Sequence, residues 1–331
     1  MKKVAVFSTK KYDRSFLTKY NEFTGLELTF FENKLSLETV TLAKGFDAIC
    51  IFVNDEANSD ILTILHSYGV QYIALRCAGF NNVDITKALA LGFKVCRVPE
   101  YSPESVAEHA VGLMLTLSRK FYKAYQRVRD GNFALDGLMG FNFSSKTVGI
   151  IGVGNIGLAT LKIMNGFGCK LLCYDPEPSQ AARALGVKFV SLQMLFQESD
   201  IISLHCPLLP KTHHIINEES LALMKDNVML INTSRGGLID SSAVLKALKS
   251  KRIGYLGLDV YELESELFFE DLSDEIIEDD IFQRFLTFPN VVITGHQGFF
   301  TKEALETIAK TTLKNLDNLF SQHGCNNLIG E

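Results

Sequence analysis

The residues whose types and spacing most plainly imply chemistry lie in Thr147–Asp175, TVGIIGVGNIGLATLKIMNGFGCKLLCYD. Gly152, Gly154 and Gly157 stand at G-x-G-x-x-G spacing, between an apolar β-branched run, Val148–Ile151, and a helix-period segment, Ile156–Phe167. A second apolar run, Lys170–Tyr174, ends in Asp175. Strand, glycine turn, helix, strand and acid in this order form a dinucleotide-binding unit. Gly152 permits the tight turn, Gly154 lets a pyrophosphate approach the backbone, and Gly157 brings the helix close to the strand. The helix N-terminus offers unpaired N–H groups and a partial positive charge to phosphates. Asp175 is placed to accept hydrogen bonds from adenosine ribose hydroxyls, and its charge opposes a 2′-phosphate, which favours NAD over NADP. The competing reading of Asp175 is an ordinary turn residue before Pro176 and Pro178.

Other polar residues follow apolar runs further along. His205-Cys206-Pro207 comes after Ile201–Leu204, and Thr233-Ser234-Arg235-Gly236-Gly237 after Val228–Asn232. Asp259 ends Tyr255–Leu258, Glu264 lies five residues on, and Gly295-His296 follows Val291–Thr294. Ligands of open α/β sheets sit at the carboxyl edge, so one parallel sheet would gather Arg235, Asp259, Glu264 and His296 on the edge that carries the glycine turn. A lone histidine at a strand end is usually structural, so His296 carries weight only in company. His205, His213 and His214 could suggest a metal. Adjacent His213 and His214 are expected to point apart, and no acid stands at ligand spacing, so no metal is expected.

The elements that must position these groups alternate. Lys3–Phe7, Leu26–Phe31, Ala48–Val53, Tyr72–Arg76 and Lys94–Val98 read as strands, with helices at Tyr12–Phe23, Ser59–Tyr68 and Asp84–Leu91 between them. Such alternation implies a parallel sheet with helices on its faces. The glycine turn of this first unit is Arg76-Cys77-Ala78-Gly79-Phe80-Asn81-Asn82-Val83-Asp84. A long helix starts near Ser102 and Pro103, with one apolar stripe through Val106, Ala110, Leu113, Met114 and Leu117. Residues 119–146 place aromatics between charges, which suits an arm packing on a partner subunit or else a surface helix with some core contacts. Asp240 reads as the cap of a helix over Ala243–Lys249, and Thr301–Ser321 as an amphipathic helix that returns to the first unit.

Length and composition bound the rest. At 331 residues with 47% hydrophobic content the chain suits two domains with large cores. No apolar run reaches the ~18 residues that span a bilayer. The opening MKKVAVFSTKKYD reads as a first strand, not a signal peptide. Seven cysteines without scaffold spacing read as reduced thiols of a cytosolic protein. The net charge of −5 is concentrated in Glu262–Asp280, which holds ten acids and no Lys or Arg and reads as a solvated loop region. Nucleic-acid binding is not indicated.

TSRGGLID, GLDVYELE, TGHQGF and HCPLLPKT resemble the motifs of the D-isomer-specific 2-hydroxyacid dehydrogenases, and the resemblance covers essentially the whole chain. VAVFSTKKYD, IFVNDE, YIALRCAGFNNVD, VAEHAVGLM and LFFED are similar to the bacterial fermentative D-lactate-forming branch of that family. The resemblance implies an α/β fold of two doubly wound parallel-sheet domains with a cleft between them. One is a flavodoxin-like substrate-binding domain, residues 1–100 and 298–331. The other is a Rossmann-type NAD domain, residues 101–297, with an interdomain helix and dimerisation arm at about 102–146. It implies pyruvate reduction with NADH. His296 serves as acid and base, and Glu264 holds the other ring nitrogen and favours the protonated ring. Arg235 grips the substrate carboxylate. The substrate shell adds the N–H groups of Ala78 and Gly79, with Tyr101 and Phe299 lining the pocket. The cofactor shell adds Asn155, Ile156, Cys206, Pro207, Thr212, Thr233, Ser234 and Asp259 to the three glycines and Asp175. A cytoplasmic homodimer or homotetramer is implied, with no nucleic-acid or membrane partner. Two alternatives stay open: a dehydrogenase for a bulkier 2-oxo acid, and an NADH-sensing binding protein.

Overall fold

The computed structural model describes residues 2–330 apart from positions 23, 265, 266 and 322. The chain divides into two compact units, Met1–Ser102 with Phe300–Glu331, and Pro103–Phe299.

The first unit runs β1 (Lys3–Val6), α1 (Lys11–Asn21), β2 (Glu27–Phe30), β3 (Ala48–Ile51), α2 (Ser59–Ser67), β4 (Tyr72–Leu75), α3 (Ile85–Ala90) and β5 (Lys94–Cys96). All five strands are parallel, in the order β2-β1-β3-β4-β5. That order is the flavodoxin type of double winding. Residues of β3 are buried on both faces, as helices on either side require. Asn58 accepts from the N–H groups of Asp60 and Ile61, and Asp84 from that of Lys87, so α2 and α3 start at side-chain caps. The expected first helix, Tyr12–Phe23, is α1, and Phe23 lies outside the described residues. A 3₁₀ turn at Val40–Ala43 carries no periodic signal and was not expected.

The second unit begins with α4 (Pro103–Arg119) and α5 (Phe121–Arg129), then β6 (Thr147–Ile151), α6 (Asn155–Gly166), β7 (Lys170–Tyr174), α7 (Gln180–Ala184) and β8 (Lys188–Phe189). It continues with α8 (Leu192–Glu198), β9 (Ile201–Leu204), α9 (Glu218–Leu223), β10 (Val228–Asn232), α10 (Ser241–Lys249), β11 (Ile253–Leu258), α11 (Asp280–Leu286) and β12 (Val291–Ile293). Its seven parallel strands run β12-β11-β10-β9-β6-β7-β8, a Rossmann order whose switch point falls between β9 and β6. The buried stripe of α4, Ala110, Leu113, Met114 and Leu117, packs in one cluster with Ile150, Leu161, Met164 and Ile231. Asp240 caps α10 by accepting from the Ala243 N–H at 3.0 Å.

The last helix, α12 (Lys302–Phe320), capped by Thr301, belongs to the first unit. Its Ala309, Leu313, Leu316 and Leu319 pack against Val4, Val6, Ala48, Cys50 and Ala74 of the sheet. The chain then adds a bridge from Leu328 to Cys96.

One expectation changes. The acidic segment is more than a solvated loop: Phe268 is buried, 6.0 Å ring to ring from Phe282, and the segment ends where α11 begins. Helix α5 fully buries no residue, and its Tyr122 hydroxyl donates to the Pro289 carbonyl at 2.6 Å, so it lies on the surface with some contact to the rest of its unit. Among the described residues no helix is long and apolar enough to cross a membrane.

Candidate active site

The carboxyl ends of β7, β6, β9, β10, β11 and β12 carry the candidate residues in that spatial order. At the end of β6, Gly152 has φ +91°, and a Cβ there would lie 2.5 Å from the Cys206 nitrogen. A Cβ on Gly157 would lie 2.0 Å from the Gly152 carbonyl oxygen. Helix α6 can start this close to the strand only without that side chain. Gly154 caps α6 with nothing within 4 Å of its absent Cβ, so the N-terminal turn at Asn155 and Ile156 faces open space. Asp175 accepts from the Val153 N–H at 2.6 Å and from the Glu177 N–H at 2.8 Å. It therefore braces the glycine turn and closes a local turn, and each oxygen retains a lone pair.

At the end of β9, Cys206 accepts from the Ser234 hydroxyl at 2.7 Å through its carbonyl, tying this loop to that of β10. Burial pushes the Cys206 thiol up to about 11, so it stays protonated. Burial pushes His205 down to about 4, which keeps its ring neutral. The Thr212 hydroxyl donates to the Pro207 carbonyl at 2.6 Å and accepts from the Leu209 N–H at 2.8 Å. These bonds close its own loop. Thr233 is buried, and its hydroxyl oxygen has no partner among the described residues. A buried polar atom without a partner costs about 1–3 kcal/mol, so the site has a reason to take up a polar ligand there. The orphan hydroxyl, the open N-terminus of α6 and the lone pairs of Asp175 fit a dinucleotide stretched from β7 to β10, roughly 14 Å at the spacing of strands.

Arg235 follows β10. Its carbonyl accepts from the buried Asn232 amide at 2.8 Å, and its guanidinium donates to the Ser234 carbonyl at 2.6 Å. Among the described residues no carboxylate pairs with it, which leaves a fork of donors for an anion. A Cβ on the next residue, Gly236, would lie 2.0 Å from the Tyr261 carbonyl carbon, so the Arg235 turn is pressed against the segment leading to Glu264.

Glu264 Oε1 lies 3.0 Å from His296 Nδ1, and Glu264 Oε2 accepts from the Tyr261 N–H at 3.0 Å. His296 Nε2 has no partner among the described residues. Its backbone is left-handed at φ +52°, a conformation that costs a side-chain-bearing residue about 1–2 kcal/mol. The rings of Phe269 and Phe299 stand 5.6 and 6.5 Å from the imidazole and wall it with apolar surface.

Buried Asp259 holds the strained His296 turn. Its oxygens accept from the Thr294 hydroxyl at 2.6 Å, from the N–H groups of Gln297 and Gly298 at 2.8 Å each, and from His109 Nε2 at 3.1 Å, while the Asp259 carbonyl accepts the His296 N–H at 2.7 Å. Burial drives its carboxyl up, but the bonds from His109, Thr294 and Gln297 outweigh that and hold it below the usual range. Asp259, expected at the cofactor, here has its carboxylate engaged by these protein donors. His109, on α4, and Thr294 were missed, because nothing local in the sequence ties His109 to a strand end far down the chain.

In the first unit, the Ala78 and Gly79 N–H groups find no acceptor among the described residues. Asn82 pins their loop by donating to the Phe52 and Asp55 carbonyls at 2.8 Å each. Arg76 anchors its start. It is 1% exposed, lies 3.2 Å from Asp13, donates to the Ser8 carbonyl at 2.8 Å, and was missed as a structural charge. Tyr101 is half-buried in this unit.

One expectation about histidines fails. His213 and His214 do not diverge: their rings stack at 3.9 Å and 24°, because His214 is left-handed at φ +50°. His214 Nε2 lies 2.6 Å from Glu262 Oε1. The acid comes from a distant loop, so no spacing rule could have found it.

Comparison with known proteins places this geometry in a class. The family model of the D-isomer specific 2-hydroxyacid dehydrogenase NAD binding domain matches residues 111–298. The chain belongs to that family. It is 55% identical to D-lactate dehydrogenase of Escherichia coli (strain K12) over 98% of this chain and 99% of that one. It superposes with a TM-score of 0.93 on the pyruvate reductase of Chlamydomonas reinhardtii, at 44% identity over 99% and 98% of the two chains. It also matches the Aquifex aeolicus D-lactate dehydrogenase complexed with NAD and lactic acid, with a TM-score of 0.88 and 32% identity over 99% of each chain.

Proposed function

We propose that this chain is an NAD-dependent D-lactate dehydrogenase that reduces pyruvate to D-lactate. The observation that carries the reading is the His296–Glu264 pair at 3.0 Å, with Nε2 bonded to nothing among the described residues, two strand positions from an Arg235 guanidinium that meets no carboxylate among them. Bound NADH supplies the hydride. Arg235 takes the substrate carboxylate in a two-point grip and draws charge toward the carbonyl. His296 Nε2 gives its proton to the carbonyl oxygen as the carbon is reduced, and recovers it from the hydroxyl in the reverse direction. Glu264 accepts from Nδ1–H, which fixes the ring orientation and leaves the reacting proton on Nε2. Phe299 limits the room for a longer side chain. Gly152, Gly154, Asn155, Ile156, Gly157 and Asp175 hold the adenosine and pyrophosphate side of NAD. Cys206, Pro207, Thr233 and Ser234 follow along the edge, where Thr233 gains the partner it lacks. Thr212 supports that loop, and Asp259 supports the loop of His296. The Ala78 and Gly79 N–H groups are assigned to the substrate carboxylate, supported within their own unit by their finding no acceptor among the described residues, and Tyr101 is assigned to the pocket wall.

The proposal includes a cytoplasmic setting and a second copy of the chain as partner, seated on the arm. Phe121, Tyr125, Phe133, Leu135 and Met139 of the arm are each more than half exposed, with Met139 at 85%. Apolar surface so concentrated marks an interaction site.

The test is a spectrophotometric assay with NADH and either pyruvate or 2-oxo-4-methylpentanoate, with the lactate enantiomer identified. D-Lactate formed with a preference for pyruvate supports the reading. L-Lactate, a large preference for the branched acid, or NADH binding without turnover contradicts it.

A further inference from the structure

Outside the acid–base pair, one cluster of metal-ligand side chains is gathered at the surface of the second unit among the described residues. His213, His214 and Glu262 each offer a donor atom, and these atoms lie within 4.8 Å of one another. The geometry points to a site for a single Zn²⁺ or similar transition ion, held by two imidazoles and a carboxylate with water in the fourth position. This inference stands independently of the proposed reaction.

Two imidazoles and a carboxylate are the ligand set of open zinc sites, whereas magnesium and calcium call for oxygen throughout. His214 is the fixed member. Its N–H donates to the Gly237 carbonyl at 2.9 Å, and its carbonyl accepts from the Asn217 amide at 3.0 Å. His214 is left-handed and the two rings stack, and one nitrogen of each lies within 4.8 Å of the other and of a Glu262 oxygen. Glu262 already touches the fixed ring at 2.6 Å, and its second oxygen faces the Ser241 N–H at 3.4 Å. Donors around zinc at ~2.0–2.2 Å stand roughly 3.3 Å apart, so the His214–Glu262 pair at 2.6 Å must open while the wider separations, up to 4.8 Å, close by about 1.5 Å at most and the stacked rings splay. His213 is exposed and can make that turn alone.

An ion here would join the loop after β9 to the loop after β11. The first is hydrogen-bonded to the Arg235–Gly237 turn, and the second carries Glu264 two residues beyond Glu262. The ion would therefore lock together the turns that carry Arg235 and Glu264, without touching either side chain.

The experiment titrates the full chain with Zn²⁺ in a non-coordinating buffer against a chromophoric chelator, and follows thermal unfolding with and without the ion. The expected result is one equivalent bound with micromolar affinity and a raised unfolding midpoint. Affinity should fall at least tenfold in His213→Ala and in Glu262→Gln and stay unchanged in His66→Ala and Cys169→Ser, and millimolar Mg²⁺ should not compete. His213 is exposed, so His213→Ala removes a ligand and leaves the fold intact. The inference is overturned by no uptake, by uptake that survives both His213→Ala and Glu262→Gln, or by displacement with Mg²⁺.

Discussion

The β6–α6–β7 region and the β10–β12 end present their groups on the same edge of one sheet, but they are assembled differently. The first draws its candidate groups from one unbroken stretch, Thr147–Asp175. Its limits are steric and local, since Gly157 must be bare because the Gly152 carbonyl is 2.0 Å from where a Cβ would be. The second draws Arg235, Glu264 and His296 from three separate loops. The loop of His296 is held by a buried carboxylate, Asp259, gathering donors from α4 and from the turn after β12, and Glu264 reaches the imidazole from a third segment. A cofactor edge can be built by backbone shape, while an acid–base pair needs a hub of long-range hydrogen bonds. Substitutions in the two regions should therefore fail differently.

The largest contrast is at Arg235. Replacing the fork with a point charge in Arg235→Lys should raise the KM for pyruvate about a hundredfold, the loss of roughly 2–3 kcal/mol for charge-assisted bonds, while NADH affinity stays within twofold. An unchanged KM would remove Arg235 from the substrate.

Within the glycine turn the comparison sharpens. Gly157→Ala should cost about 1–3 kcal/mol of stability, because the added carbon has no space, and chemical denaturation will read it. Gly154→Ala should leave the denaturation midpoint unaltered and weaken NADH about tenfold, by taking the room a pyrophosphate needs. Equal stability losses would show that the two glycines do the same job.

Asp175→Ala should relax the preference for NADH over NADPH by about tenfold, on the order of 1.4 kcal/mol. Persisting rejection of NADPH would place the ribose elsewhere.

A smaller effect concerns His205, which belongs to the cofactor edge by position and to the core by burial. Its pKa lies near 4 in the folded chain and near 6.5 when unfolded. Between those values the unfolded chain binds the extra proton, so His205 costs stability as pH falls through that window. His205→Gln should flatten this part of the stability profile by about 2 kcal/mol; an unchanged acid limb would place the titration elsewhere.

The sequence showed the first region more completely than the second, for a physical reason. Gly152, Gly154, Gly157 and Asp175 stand at fixed spacing because one turn dictates all four. The strand ends carrying Arg235, Asp259, Glu264 and His296 were legible as apolar runs followed by polar residues. That His296 Nδ1 meets Glu264 came only from the family resemblance, and that His109 reaches Asp259 was missed, because both depend on packing between segments far apart in the chain. The stacked His213 and His214 were misjudged for a related reason, since a left-handed residue at position 214 carries no glycine to announce it. Short elements such as β8 and α9 were missed because two to six residues hold too little periodicity, while α12 was plain from its nineteen-residue stripe.

The most direct test of the acid–base pair compares His296→Ala and Glu264→Gln with the wild-type chain, measuring kcat for pyruvate reduction together with the NADH dissociation constant. The expected result is a fall in kcat of about a thousandfold for His296→Ala, within the span of general acid catalysis, a smaller fall for Glu264→Gln, and NADH binding within twofold of wild type in both. Retained turnover in His296→Ala, or a loss of NADH binding as large as the loss of turnover, would contradict the assignment.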